Sequence, residues 1–551
     1  MRTSLLLLFC LMYLGLSAQK SNYYFIGFKD KPRYKETLNQ PFLYISQKAI
    51  DRRLKYKVPV SSNDIPPDSG YMSQMLKLPL EYCGQTRWFN GFLAKIPQSF
   101  NVDSIRKFPF VEKVEYLGPY VAWEEEVERS ETPIEENIGQ LEESFKKKDK
   151  RDTSFFGVSS TQFKQLNYGK FFQEGNFYPG EGMRIAVIDA GFKNMDNLQA
   201  FKHLFKEKRI VSSYDFVERE EEVFDDDVHG LAVISCLASR IPSLLMGTAP
   251  NADYILLRSE NAVSEYLLEE YYWLQAAEYA DSAGADIINS SLGYTKHDVS
   301  SMGHKYKELN GQTTVVSRAA EIAASKGMLI FVSAGNEGMD VWRQISAPAD
   351  AEHVISVGAV AADGDLASFS SVGPTADKRI KPDVVAFGKG ISVLSENGSI
   401  YPGNGTSYAA PVLAGTAAYL MKKYPRRSLN EIRDTYKLAA NQYYKPAKQK
   451  GWGIPDIDLM CKFLGSTKDS LLDAQILDNG KMHISLRLKQ SKSVKIRWLN
   501  GSEVVEEESF SSKNPGTFRF ESSINKKRLK GVTHLSVLFQ DYENLIQISG
   551  Y

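Results

Sequence analysis

The sequence predicts an α/β protein: a central domain on a doubly wound parallel sheet, preceded by a small α+β unit and followed by a small β-sandwich. Three observations carry this. From about Ser154, short apolar runs alternate with helical patterns, the mark of a parallel sheet covered on both faces. After about Gly465 helical periodicity stops, and alternating runs such as Met482-His483-Ile484-Ser485-Leu486 and Val494-Lys495-Ile496-Arg497-Trp498 take over. Before about Tyr120 lies a mixed strand-and-helix segment of roughly a hundred residues, long enough to fold independently.

Length and composition bound the rest. A chain of 551 residues with 43% hydrophobic content is globular and too long for one ordinary core. Its 67 basic and 67 acidic residues cancel, so no global field argues for nucleic acid or an anionic membrane as partner. Met1-Arg2, the apolar run Leu5 to Leu16 and then Ser17-Ala18 have the form of a secretory signal, too short to span a bilayer. The mature chain is therefore expected outside the cytoplasm, secreted or at the cell surface, with no integral membrane segment. It keeps Cys83, Cys236 and Cys461, which form neither a disulfide framework nor a zinc spacing and read as buried thiols.

Taken in order, residues 1–18 are the signal and 19–120 the α+β unit. That unit is read with strands at Tyr23 to Phe28, Trp88 to Ile96 and Val111 to Tyr116, and helices near Gln47 to Lys57, Tyr71 to Lys77 and Val102 to Lys107. Residues 121–153 are rich in charge, including Glu124-Glu125-Glu126 and Lys146-Lys147-Lys148, and read as a solvated linker. In residues 154–465, buried strands are expected at Arg184 to Ile188, Ile287 to Asn289, Met328 to Ser333 and Val354 to Val357. Helices are expected from a Ser264 cap to about Ser282 and over Ser317 to Ser325. Residues 466–551 form the β domain.

Chemistry gathers around Gly405-Thr406-Ser407-Tyr408-Ala409-Ala410-Pro411. Ser407 stands before an Ala-rich helix running to about Tyr424, with Pro411 read as a first-turn residue that needs no backbone donor. The free N–H groups and positive dipole end there favour an oxyanion. Reactive groups of doubly wound sheets lie just beyond the carboxyl ends of strands. Three partners occur there. Asp189 ends Ile185-Ala186-Val187-Ile188. His229 precedes a small apolar helix, Leu231 to Ala238. Asn336 follows Ser333-Ala334-Gly335, and its amide can donate to a developing oxyanion. Asp225-Asp226-Asp227 reads as a solvated loop; a structural calcium there is possible but not predicted, because the ligand spacing is unconvincing, and no other metal or cofactor is predicted.

Together, in the order Asp, His, Asn, Ser, the chain resembles the subtilisin-like serine peptidases over about Ser154 to Phe463. The likeness rests on Val187-Ile188-Asp189-Ala190-Gly191, His229-Gly230, Met246-Gly247-Thr248-Ala249-Pro250, Ser290-Ser291-Leu292-Gly293, Ser333-Ala334-Gly335-Asn336 and the Ser407 motif. It implies Ser407 as nucleophile, His229 as general base and later acid, and Asp189 as the carboxylate that orients the imidazole. Asn336 with the Ser407 N–H would form the oxyanion hole. It further implies that Ser291, Leu292 and Gly293 line a cleft where a polypeptide substrate pairs with the backbone. Two departures stand out: Ala190 replaces a hydroxyl residue common in the family, and Leu231-Ala232 replaces Thr-His.

Upstream, Tyr24-Phe25-Ile26-Gly27-Phe28-Lys29-Asp30-Lys31, Arg52-Arg53 and Arg87-Trp88-Phe89-Asn90 are similar to the leader region of exported Bacteroidetes-type subtilases. The resemblance makes residues 19–120 an inhibitor-like propeptide, a partner the enzyme carries itself. The expected function is a secreted serine endopeptidase; a catalytically silent peptide-binding protein of the same fold is the alternative. An α/β-hydrolase would need the order Ser, acid, His, which is reversed here.

Overall fold

The computed structural model describes residues 20–120, 155–172, 179–443 and 445–465, with seven strands between Ser470 and Gln547. The predicted signal and the whole of the charged linker lie outside the described residues.

In the N-terminal unit four strands form one antiparallel sheet, in spatial order Glu81–Thr86, Gly91–Pro97, Ser21–Phe28 and Val111–Pro119. Alternation along the strands divides its two faces. Ile26, Phe28, Phe92, Ala94 and Ile96 form the unit's own core with Met75, Ile105 and Phe110. Phe25, Leu93 and Leu117 point the other way and share a core with helices of the central domain. The Glu81–Thr86 strand escaped the sequence reading because it is a half-polar edge interrupted by Gly84, where the register shifts. The strand expected from Trp88 begins only at Gly91, after a turn in which Asn90 has φ 51°.

The central sheet has seven strands, in spatial order Val384–Phe387, Ile355–Val360, Leu329–Ser333, Ile287–Ser290, Arg184–Asp189, Asp253–Arg258 and Ile210–Asp215. All neighbours are parallel. The four expected strands are present. The other three were missed: IVSSYD is a half-polar edge, VVAF is short, and DYILLR is an apolar run that periodicity cannot assign to strand or helix. From Arg184–Asp189 the chain first goes to the Ile210–Asp215 side and later crosses to the Ile287–Ser290 side. The carboxyl ends of Arg184–Asp189 and Ile287–Ser290 therefore flank the switch point where such sheets place their sites.

Helices cover both faces. Ile185 and Val187 pack with the helices His229–Ala238 and Thr406–Lys423, whereas Ala186 and Ile188 pack with Leu267–Ala283 and Val315–Ser325. Caps differ from expectation by a few residues. The helix expected from Ser317 begins at Val315, and Thr314 caps it by accepting from Ser317 N at 3.2 Å. Glu269, not Ser264, fixes the other start by accepting from Tyr266 N at 3.0 Å.

The N-terminal unit docks on the Leu267–Ala283 helix through buried charge as well as apolar contact. The Glu278 carboxylate accepts from the backbone N–H of Arg87 at 2.8 Å and of Trp88 at 3.0 Å, and from the Thr86 hydroxyl. Asp281 receives Arg53 at 2.6 Å and also Arg52, while Arg53 reaches Asp64 at 2.8 Å and Lys326 reaches Asp64 at 2.9 Å. All of these side chains are nearly or fully buried.

After Gly465 the strands form two antiparallel sheets. One holds Ser470–Ile476, Met482–Leu488 and Gly516–Glu521; the other holds Glu503–Ser512, Lys492–Asn500, His534–Phe539 and Tyr542–Gln547. Cys83, Cys236 and Cys461 are buried free thiols. Among the described residues no helix is long and apolar enough to cross a membrane.

Candidate active site

Asp189 is the last residue of its strand and fully buried. His229 is the first residue of its helix, with a third of its side chain exposed, so the ring can meet a ligand. The two loops interlock. Gly191 has φ 150°, and a Cβ there would lie 2.5 Å from Asp227 N; a Cβ on Gly230 would lie 2.3 Å from the Gly191 carbonyl oxygen. Only residues without a side chain allow that approach. It brings His229 Nδ1 to 2.6 Å from Asp189 Oδ1.

Two aspartates of the loop before His229 have structural partners, which corrects the reading of a merely solvated segment. Asp227, just ahead of the helix, accepts from His229 N, the first of its free N–H groups, at 2.7 Å. Asp226 pairs at 2.8 Å with Arg258, a buried residue at the end of the adjacent strand. Arg258 also binds Asp215 at 2.6 Å and donates to the carbonyls of Ala190 at 3.1 Å and Glu260 at 3.2 Å. This guanidinium thus ties the loop after Asp189 to the loop before His229. Nothing local in the sequence marked it, because its partners come from three separate segments.

Burial pushes the His229 pKa down, but the charge and hydrogen bond of Asp189, with Asp227 and Glu260 beyond, outweigh it, and the net shift is upward. Glu260 is itself buried, accepts the Tyr294 hydroxyl, and is pushed up to about 7 chiefly by burial. The departure at Ala190 is visible in the geometry. Asp189 Oδ1 accepts from Ala190 N at 2.9 Å, while Oδ2 is buried without a hydrogen-bond partner among the described residues. Leu231 and Ala232 are packed into the core.

Ser407 is the second residue of the Thr406–Lys423 helix, where its N–H has no intrahelical acceptor. Pro411 is the sixth residue of that helix, not a first-turn residue as the sequence suggested. Its missing N–H would have bonded the carbonyl four residues back, which is that of Ser407. Ser291 Oγ donates to that freed carbonyl at 2.8 Å, and Ser407 Oγ donates to the Ser291 carbonyl at 3.2 Å. The proline thereby lets the segment after Ile287–Ser290 bind the nucleophile motif. No hydrogen bond joins Ser407 to His229 among the described residues. The His229 ring lies beside Tyr408, with centroids 6.1 Å apart.

Asn336 is exposed, and its side-chain oxygen accepts from Thr406 N at 2.9 Å and Thr406 Oγ1 at 3.0 Å. Two donors on one oxygen fix the amide's orientation, so its NH₂ end is the free one. Leu292 is buried in the core on the Leu267–Ala283 side and Gly293 is exposed. Asp189, His229, Asn336, Ser407 and Ser291 are thus placed around one end of the sheet, with Leu292 and Gly293 continuing from it.

Comparison with known proteins agrees with this architecture. Residues 180–453 match the subtilase family, and residues 23–133 match the peptidase S8 propeptide domain of Bacteroidota. Serine protease AprX of Bacillus subtilis is 30% identical over 300 residues, which cover 49% of this chain and 64% of that protein. Subtilisin DY of Bacillus licheniformis is 28% identical over 265 residues, 47% of this chain and 83% of that protein. This chain thus spans under two thirds of AprX. Among solved structures, an epidermin leader peptide processing serine protease from Staphylococcus aureus aligns over 80% of this chain and 98% of its own, with TM-score 0.50 and 17% identity, a likeness of fold. The chain belongs to the subtilase family, with a Bacteroidota-type peptidase S8 propeptide domain ahead of its subtilase domain.

Proposed function

We propose that the protein is an exported serine endopeptidase that cleaves polypeptides through an acyl-enzyme on Ser407. The observation that carries this reading is the 2.6 Å contact from buried Asp189 to His229 Nδ1, which leaves Nε2 to act as the base. For attack, the Ser407 hydroxyl leaves the Ser291 carbonyl and turns to the imidazole. Ser407 Oγ then attacks the scissile carbonyl carbon while His229 Nε2 takes its proton. The oxyanion is held by the Ser407 N–H and the free amide of Asn336. His229 returns the proton to the leaving amine, and water repeats the sequence in reverse to release the acid. Gly293 is exposed, and with Ser291 and Leu292 it offers backbone against which an extended substrate can pair. The apolar stretch Leu5 to Leu16 supports export. The reading needs no metal or other cofactor.

Replacing Asn336 with alanine is expected to lower kcat by about 10²–10³ with little change in KM, the size known for subtilisin's oxyanion donor. Steady-state kinetics on a peptide substrate measure it, and an unchanged kcat would assign oxyanion stabilisation to another group. The pH profile checks the base. A raised His229 pKa means the ring is protonated, and inactive as a base, below a point above 6.5. The acid limb of kcat/KM should therefore have its midpoint above 6.5, and a midpoint below that would show that Asp189 does not dominate the ring.

A further inference from the structure

We propose that Glu270, His297 and His304 form a binding site for a divalent transition metal of the zinc type, separate from the catalytic constellation. Glu270 is in the first turn of the Leu267–Ala283 helix and fully buried. His297 and His304 belong to the segment that runs on from Ser291-Leu292-Gly293 toward the Val315–Ser325 helix. Donor atoms of the three residues all lie within 4.8 Å of one another. Glu270 Oε1 is 2.5 Å from His304 Nε2 and 3.6 Å from His297 Nε2, and the two imidazoles meet edge to face with centroids 5.3 Å apart.

The independent observation is His297. Its side chain is wholly buried, yet neither ring nitrogen has a hydrogen-bond partner among the described residues. Buried imidazoles ordinarily satisfy their nitrogens, so one aimed at a carboxylate and a second imidazole without bonding either points to a ligand between them. Two imidazoles and one carboxylate suit a borderline cation such as zinc and do not suit calcium, which takes oxygen ligands. With bonds of about 2.0–2.1 Å, tetrahedral ligand atoms sit about 3.3 Å apart. The His297 contact, at 3.6 Å, is within about 0.3 Å of that span. The shorter His304–Glu270 contact is a proton-bridged pair that opens by about 1 Å when a cation takes the proton's place.

The surroundings fit as well. Glu270 Oε2 is held by Val316 N at 3.0 Å, which fixes the carboxylate plane. His304 Nδ1 faces the Glu308 carboxylate at 3.8 Å, the kind of outer partner that orients a metal-bound histidine. A bound cation would fasten the segment following the substrate-lining residues to the helix that carries the N-terminal unit.

The test uses the full chain carrying Ser407→Ala to prevent self-digestion, stripped with a chelator and titrated with zinc chloride by calorimetry. Metal is counted by elemental analysis, and cobalt(II) serves as a spectroscopic replacement. One zinc per chain is expected, together with a cobalt spectrum of low coordination number. His297→Gln should lose stoichiometric binding, and Glu308→Gln should weaken it about 10–100-fold. Absence of binding in the parent, or equal stoichiometry and affinity in His297→Gln, would overturn the proposal. If circular dichroism shows His297→Gln unfolded, Glu308→Gln decides: unchanged affinity there refutes the site.

Discussion

Ser407→Ala is expected to lower kcat by about 10⁶, the size known for the subtilisin nucleophile. The size follows from the arrangement of the residues as a unit: without the hydroxyl, neither the Asp189–His229 pair nor the oxyanion donors have an acyl intermediate to act on. The same change should alter maturation. A tethered inhibitory unit acts at high effective concentration, so full activity requires the tether to be cut. The charged stretch between Glu124 and Asp152 is polar enough to stay accessible, and proteolysis concentrates in such segments. Mass spectrometry of the purified wild type should find an N-terminus between about Val121 and Phe156. The Ser407→Ala chain, made in a host lacking other proteases, should begin near Ala18 and stay long. Full activity from an uncut wild-type chain would overturn the propeptide's inhibitory role, while identical cutting in both would assign the cut to another protease.

The second large effect concerns the docked propeptide. Asp281→Asn should weaken the isolated propeptide, added in trans, about 10²–10³-fold as an inhibitor of the mature enzyme. Arg52 and Arg53 are both buried against that one carboxylate, and removing one partner of a buried pair costs about 3–5 kcal/mol, because the remaining charges stay desolvated. Each factor of ten corresponds to about 1.4 kcal/mol. In the mature enzyme Asp281 has lost both arginines, so kcat and KM on a peptide should hardly move. Inhibition kinetics separate the two cases. An unchanged inhibition constant would mean that Glu278 and the apolar face around Phe25 and Leu93 carry the docking.

The parts of the site legible in the sequence are those whose chemistry restricts the residue type locally. Asp189 ends a strand, Asn336 lies in the loop just after one, and His229 and Ser407 stand in the first turns of helices, and a short motif with a nearby glycine marks each one. Arg52-Arg53 and Arg87-Trp88 were legible as a leader motif, and the structure supplies the reason: they meet Asp281 and Glu278. What stayed hidden depends on long-range contact. Arg258 is one charge at the end of an apolar run, and its role appears only when Asp215, Asp226 and Ala190 converge on it. Glu270 is separated from His297 by a strand, so no spacing rule joins them. Pro411 read as a helix-start residue because its real function, freeing the Ser407 carbonyl for Ser291, needs a partner more than a hundred residues away. The edge strands Ile210–Asp215 and Glu81–Thr86 were missed because polar side chains face solvent and blur the alternation.

The most direct test of the central claim is labelling by a serine-directed fluorophosphonate, with the adduct mapped by mass spectrometry. Folded, processed protein should carry one adduct on Ser407, and the label should disappear after heat unfolding and in His229→Ala. Folded, processed protein that takes no label would contradict the account and leave a peptide-binding protein of the same fold.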